Sequence, residues 1–320
     1  MQRNQSIDIA KAVGIILMVV GHFNGLPLWF EKWIFSFHMP LFFILSGYLF
    51  KPKTEIQVIK GGIKSLVWPY IYTVAISILI AFLLWSHESA INAALGAFYG
   101  CQGNPNAKIV LSKFQAGPIW FLLSLFWCRI YFSFIYKRFK NYLLICFIIG
   151  ILAAVFSTKI LNVPLCIVSG AVSLIFYASG AKLKEFGFDK IKGWHYCFMV
   201  FVWLFCSQFG YLNMAGYVYN PYFVSIIGAV FGSIVVLKIC SFFRNGGGAR
   251  FMCFVGQSTL EILCSHKLAY HTRKPLIMAL GINDNNVYAL NISLALLTIF
   301  YSIIWLLLKK WKEQRNAKNA

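Results

Sequence analysis

Residues 63–85 read IKSLVWPYIYTVAISILIAFLLW. Beyond Lys64 the run holds no charged side chain, and it is longer than the ~20 residues a helix needs to cross the hydrocarbon of a bilayer. Comparable apolar runs cover roughly residues 7–23, 33–50, 117–136, 141–157, 163–181, 194–210, 221–242, 252–271 and 287–309. With short connections they use up nearly all of the 320 residues, of which 60% are apolar and 12% charged. A soluble domain carries about twice that charge. The sequence therefore predicts an all-α polytopic membrane bundle of about ten transmembrane helices, one domain over residues 1–320, with no room for a soluble catalytic domain. Any chemistry must happen within the bundle or at its edge.

The formal charge of +20 would suggest nucleic acid in a soluble protein. In a membrane chain the lipid bilayer explains it first, because Lys and Arg collect in cytoplasmic loops and meet anionic lipid there. With a cytoplasmic amino terminus, Lys32, Lys108, Lys113, Lys159, Lys267, Arg273 and Lys274 are the seven outer basic residues. Arg129 lies within a helix, and the remaining 21 of the 29 Lys and Arg are inner. This asymmetry predicts both termini in the cytoplasm and a multi-pass protein of the cytoplasmic membrane.

The nine cysteines include no C-x-x-C and fall almost entirely in apolar runs, so they read as packing residues and not as a metal site or disulfide framework. The first apolar stretch contains Asp8 and Lys11 and lacks a small-residue cleavage site, which marks a retained helix and not a removed signal peptide. The longest outer connection, about Ser86 to Ala116, contains Gly103-Asn104-Pro105-Asn106 and is a candidate lid or acceptor-binding loop, or a surface loop without special role.

Polar residues at membrane depth are costly, so each needs a reason. Asp8 and His22 are fourteen positions apart in the first helix, which puts them within ~40° of one face and ~21 Å apart along the axis. Asp8 can pair with Lys11 or Arg3 as a structural ion pair, or contact a ligand. His38 opens the second helix, in Phe37-His38-Met39-Pro40-Leu41-Phe42-Phe43, with Pro40 in the first turn. Trp120 begins the fourth. The ninth contains Gly256-Gln257-Ser258-Thr259-Leu260-Glu261 and climbs to His266. His22, His38, Trp120 and His266 thus all fall at outer helix ends, although a lone intramembrane histidine is more often a packing or capping residue than a catalyst.

These segments resemble the membrane-bound acyltransferase-3 family. Arg3 to Lys11 followed by Val19-Val20-Gly21-His22 is similar to its opening helix, and Phe37 to Phe43 with Ser46-Gly47-Tyr48-Leu49-Phe50 to its most specific signature. Trp120-Phe121-Leu122 resembles a third block, and Gly256 to Leu260 with His266 a fourth. The resemblance implies about ten membrane helices and transfer of acetyl or other short acyl groups from a cytoplasmic coenzyme A thioester to hydroxyls of exported carbohydrate. It implies that His22 is the catalytic histidine. Where members often carry Arg-x-x-Arg between the second and third helices, this sequence has Lys60 and Lys64 before Trp68-Pro69-Tyr70. The appended hydrolase-like domain of some members is not expected in a chain ending at Ala320. The spacing of the first two blocks is similar to that of members acetylating fucose-like sugars or units of capsule and lipopolysaccharide.

A hydroxyl attacks a thioester only with a base in reach and a donor to the developing oxyanion. The expected assignment is His22 as base, with His38 or a nearby tryptophan or serine polarising the carbonyl; an acyl-histidine relay is the alternative. Trp120, Ser258, Glu261 and His266 are the candidate acceptor contacts. Arg3, Asp8, Lys11, Lys60 and Lys64 are the candidate contacts for acetyl-CoA, with no metal, although the lysines also satisfy the charge rule without a ligand. The rival class is a secondary transporter or lipid-linked sugar flippase, whose paired halves with matching broken helices are not visible here.

Overall fold

The computed structural model describes residues 4–101, 116–159, 163–243 and 245–318. Arg3 and the turn at Gly103 to Asn106 lie outside the described residues. The helices are α1 (Gln5–Val20), α2 (Leu28–Phe35), α3 (His38–Tyr48), α4 (Glu55–Gly62), α5 (Trp68–Leu84), α6 (His87–Tyr99), α7 (Trp120–Arg138), α8 (Tyr142–Lys159), α9 (Ile167–Val172), α10 (Leu174–Phe186), α11 (Gly193–Phe209), α12 (Tyr222–Phe242), α13 (Gly247–Gln257), α14 (Thr259–Ala279) and α15 (Val287–Lys318). A hairpin of β1 (Tyr211–Asn213) and β2 (Val218–Asn220), with Asn213 opposite Val218, is the sheet among the described residues.

Among the described residues, four helical stretches are long and apolar enough to cross a membrane: Glu55–Leu84, Gly117–Arg138, Tyr222–Phe242 and Val287–Arg315. The pair Pro164–Val172 and Leu174–Phe186, bent by 46°, makes a fifth if it is one broken span. Large apolar side chains such as Leu83, Phe201, Phe209, Leu296 and Leu307 point outward, which suits a body solvated by lipid and not by water. The chain is a helical membrane protein. Its α1 packs against α3, α12, α13 and α14.

Several of the expected spans are cut differently. The run 33–50 divides at Phe37 into α2 and α3, because Pro40 has no N–H to offer the Ser36 carbonyl. The run 252–271 divides at Ser258, whose hydroxyl donates back to the Phe254 carbonyl at 3.0 Å. Beyond it α14 continues to Ala279, past the expected end at residue 271, and so carries Arg273 and Lys274 as well as Lys267. Pro275 cannot satisfy the His271 carbonyl, and the Trp85 indole nitrogen donates to it instead at 3.0 Å. The first helix stops at Val20, leaving His22 in the turn that follows.

Backbones touch where glycine permits. A Cβ on Gly47 would overlap the Tyr177 carbonyl of α10, and one on Gly180 would overlap the Ile44 carbonyl of α3. Gly47→Ala is expected to destabilise the fold by about 3 kcal/mol or more, since neither backbone can yield as a flexible side chain would. Thermal unfolding in detergent reads this directly. An unchanged midpoint would mean that the α3–α10 contact is not tight.

Candidate active site

Three imidazoles meet at the end of the bundle away from the ends of the described chain. That opposite end is marked by α13 packing on α1, where a Cβ on Gly256 would strike the Asp8 backbone, and by Lys309 of α15 bound to Glu261 at 2.7 Å. His22 and His266 approach edge to face, with ring centroids 5.0 Å apart. His22 and His38 line one small cavity of about 60 Å³ together with Trp120, Met18, Met39 and Pro118.

Helix ends fix the protons on these rings. The last carbonyls of a helix lack backbone donors. His22 Nδ1 lies 2.7 Å from the Met18 carbonyl of α1, and His38 Nδ1 lies 2.8 Å from the Ile34 carbonyl of α2. A carbonyl only accepts, so in both rings Nδ1 carries the hydrogen, and in the neutral ring Nε2 carries a lone pair. For His266 the argument takes one more step: Thr298 donates its hydroxyl to the Leu294 carbonyl at 2.6 Å, so it accepts from His266 Nδ1 at 3.2 Å. His266 Nε2 is buried without a partner. Three basic nitrogens are thus pre-oriented in one place, matched to a substrate that brings hydroxyl protons.

This arrangement corrects one role. With Nδ1 spent on Ile34, neutral His38 has only an acceptor to offer and cannot polarise a carbonyl. Donors at this end include the indole of Trp120, on the cavity wall, and the Lys267 ammonium beside Gly117. The covering segment was also missed: Leu212 to Ala215, the tip of the β1–β2 hairpin, closes the cavity, whereas the described part of the expected lid forms α6 against α5.

A larger cavity of about 530 Å³ enters from the other end. Its basic wall residues are Lys11, Lys51, Lys53 and Arg129. Its deep wall is Met18, Met39, Phe42 and Phe121, and Met18 and Met39 also line the histidine cavity. The α4 residues facing it are Gln57, Val58, Gly61 and Gly62, one helical face. Lys60 and Lys64 fall off that face and are exposed outside the cavity. Asp8 is also outside it: its carboxylate accepts from Gln257 Nε2 at 3.3 Å and lies 3.8 Å from Lys11, bracing α1 on α13.

Ser258 and Glu261 are not with the histidines. Ser258 begins α14 about 12 Å below His266, and Glu261 turns toward Lys309, so the acceptor contacts expected there reduce to Trp120 and His266. Arg129 is the residue sequence reasoning undervalued: its Nε and Nη2 take the Ser46 hydroxyl at 3.3 and 3.1 Å, with the Tyr177 hydroxyl beside both. Its charge inside an apolar helix was the available signal. Among the described residues no three His, Cys, Asp or Glu side chains are grouped to hold a metal ion.

The family model of the acyltransferase domain matches residues 4–310. Nodulation protein NolL of Sinorhizobium fredii (strain NBRC 101917 / NGR234) is 29% identical over 130 residues, 38% of this chain. The chain spans about a third of the length of that curated relative, 33%. No solved structure matches significantly. Matched from Asn4 to Lys310 and carrying its histidines on the blocks that resemble the family's, the chain belongs to the acyltransferase-3 family of membrane acyltransferases.

Proposed function

We propose that the protein is an O-acetyltransferase of the cytoplasmic membrane that moves an acetyl group from cytoplasmic acetyl-CoA to a hydroxyl of a cell-surface or exported carbohydrate, with ten spans and both termini inside. The observation that carries this reading is the shared wall of Met18 and Met39: a basic cavity open at one end of the bundle stops at a histidine cavity belonging to the other. Lys11, Lys51, Lys53 and Arg129 receive the donor's phosphates, and the thioester reaches the methionines. Lys60 and Lys64, off that face, do not contribute.

At the methionines His22 Nε2 takes the proton of the acceptor hydroxyl as its oxygen bonds to the thioester carbon. The carbonyl oxygen gains charge and is met by Trp120 Nε1 or the Lys267 ammonium. As the tetrahedral intermediate collapses, the C–S bond breaks and the departing thiolate takes a proton from the imidazolium. His38 and His266 accept hydrogen bonds from further hydroxyls, and so favour a sugar over a simple alcohol.

Purified protein is expected to consume radiolabelled acetyl-CoA, by transfer to glycan or slowly to water; no turnover would overturn the reading. In the same assay Lys51→Ala with Lys53→Ala should raise KM for acetyl-CoA about fivefold with little change in kcat, as loss of ground-state charge contacts does. Lys60→Ala with Lys64→Ala should leave KM unchanged. The reverse pattern would move the donor to the outer face of α4.

A further inference from the structure

Helix α14 carries two more cations past His266. Lys267 and Arg273 are buried, at 8% and 5% exposure. The Lys267 side chain packs on Gly117, where a Cβ would come within 3.3 Å of its ammonium, and Gly117 precedes Pro118 of the histidine cavity. Arg273 lies on the same helix face as His266: seven residues turn about 700°, within ~20° of two full circles, and rise ~10 Å. Its guanidinium sits 4.2 Å from the Tyr270 ring centre and leaves Nη1 buried without a hydrogen bond. His271, one turn on from Lys267, also has a buried Nε2 without a hydrogen bond.

No carboxylate answers these charges among the described residues. Asp8, Glu55, Glu185, Glu261 and Asp284 pair with Lys11, Lys137 and Arg138, Lys182, Lys309 and Lys274 respectively. Residues 102–115, which lead to Gly117, contain neither Asp nor Glu. Two buried cations without a counter-ion are strongly unfavourable unless an anion arrives from outside the chain. We propose that the acceptor is anionic, and that Lys267 and Arg273 hold its phosphate or carboxylate while a neighbouring hydroxyl faces His22. The identity of the bound molecule as acceptor rests on the acyl-transfer reading; the anion site itself does not.

The test is thermal unfolding of the full-length protein in neutral detergent, at constant ionic strength, with inorganic pyrophosphate, D-glucuronate or D-glucose. Pyrophosphate or glucuronate should raise Tm saturably and glucose should not. Arg273→Gln and Lys267→Met should each weaken that apparent Kd about tenfold or more, since a hydrogen bond to a charged group is lost. Arg273→Lys, which keeps the charge, should retain most of the binding and carries the test should the glutamine variant misfold. His22→Ala should bind the anions as the wild type does. Equal effects of glucose and glucuronate, no response to either anion, or unchanged Kd in the variants would overturn the proposal. So would a Tm raised only in nanodiscs containing phosphatidylglycerol, which would make the occupant a lipid headgroup. Anion binding with no acetyl-CoA turnover would sink the acyl-transfer reading alone, whereas turnover with neutral sugars preferred would sink this one.

Discussion

Replacing His22 with alanine is expected to lower kcat about 10²- to 10⁴-fold, the usual contribution of a general base, while the protein still inserts and still binds acetyl-CoA. The expectation comes from where its protons sit. The Met18 carbonyl holds Nδ1–H, so Nε2 is the free base, and His22 lines the histidine cavity with Met18 and Met39, which also wall the donor cavity. His38 has the same tautomer and the same cavity, yet its alanine variant should lose less. Its Nδ1–H closes the broken joint between α2 and α3, so part of its effect is structural. The two cases separate in a measurement of acetyl transfer by matched amounts of membrane-inserted variants, with donor binding and thermal stability followed beside it. His22→Ala should change rate alone, and His38→Ala both rate and stability. A His22→Ala protein retaining more than about half the wild-type rate would make this histidine a helix cap and nothing more.

The sequence carried the membrane bundle and the histidine end because both rest on local chemistry. Apolar runs longer than a bilayer report lipid whatever their partners, and the depth of His22, His38, Trp120 and His266 follows from counting residues along helices. What did not follow is direction around a helix axis when apolar residues lie on every side. Lys60 and Lys64 stand in the loop where donor contacts are expected, yet the cavity face of α4 is Gln57, Val58, Gly61 and Gly62. Glu261 shares α14 with His266 but turns to Lys309, and that choice is made by α15, whose placement no pattern within residues 256–266 encodes.

Breaks were illegible for a related reason. Pro40 falls in a first turn as its chemistry requires, but the stretch before it reads as helix continuing from residue 33, since Ser36 and Phe37 carry no strong stop signal of their own. The break nevertheless makes the site: it leaves the Ile34 carbonyl with only a long 3.4 Å backbone bond from Phe37 N–H, so that it can take the shorter one from His38 Nδ1. The β1–β2 hairpin over the cavity is three residues per strand, too short for alternation to stand out between apolar helices. Cys101 and Cys166, expected as packing residues, are both buried with their sulfurs 3.3 Å apart, a contact between segments that no spacing rule would pair.

Arg129→Met is expected to raise KM for acetyl-CoA about 10- to 100-fold, the range set by losing hydrogen bonds to a charged partner worth ~1.5–3 kcal/mol. A guanidinium within the Gly117–Arg138 span needs a counter-charge, and among the described residues no carboxylate lies in ion-pair range of it. Its hydrogen bonds to Ser46 fix its direction without neutralising it, and it lines the donor cavity nine residues below Trp120, about 14 Å along α7. An anionic donor supplies what the bundle withholds. Methionine keeps much of the length and the apolar stem, so packing around Tyr177 survives the change. Comparing acetyl-CoA with acetyl-pantetheine, which has the thioester but no phosphate, separates binding from architecture. A phosphate contact predicts a large loss with acetyl-CoA and almost none with acetyl-pantetheine. Equal losses with both donors would mean that Arg129 holds α7 to α3 through Ser46, and the donor's charge would then have to be met by Lys11, Lys51 and Lys53 alone.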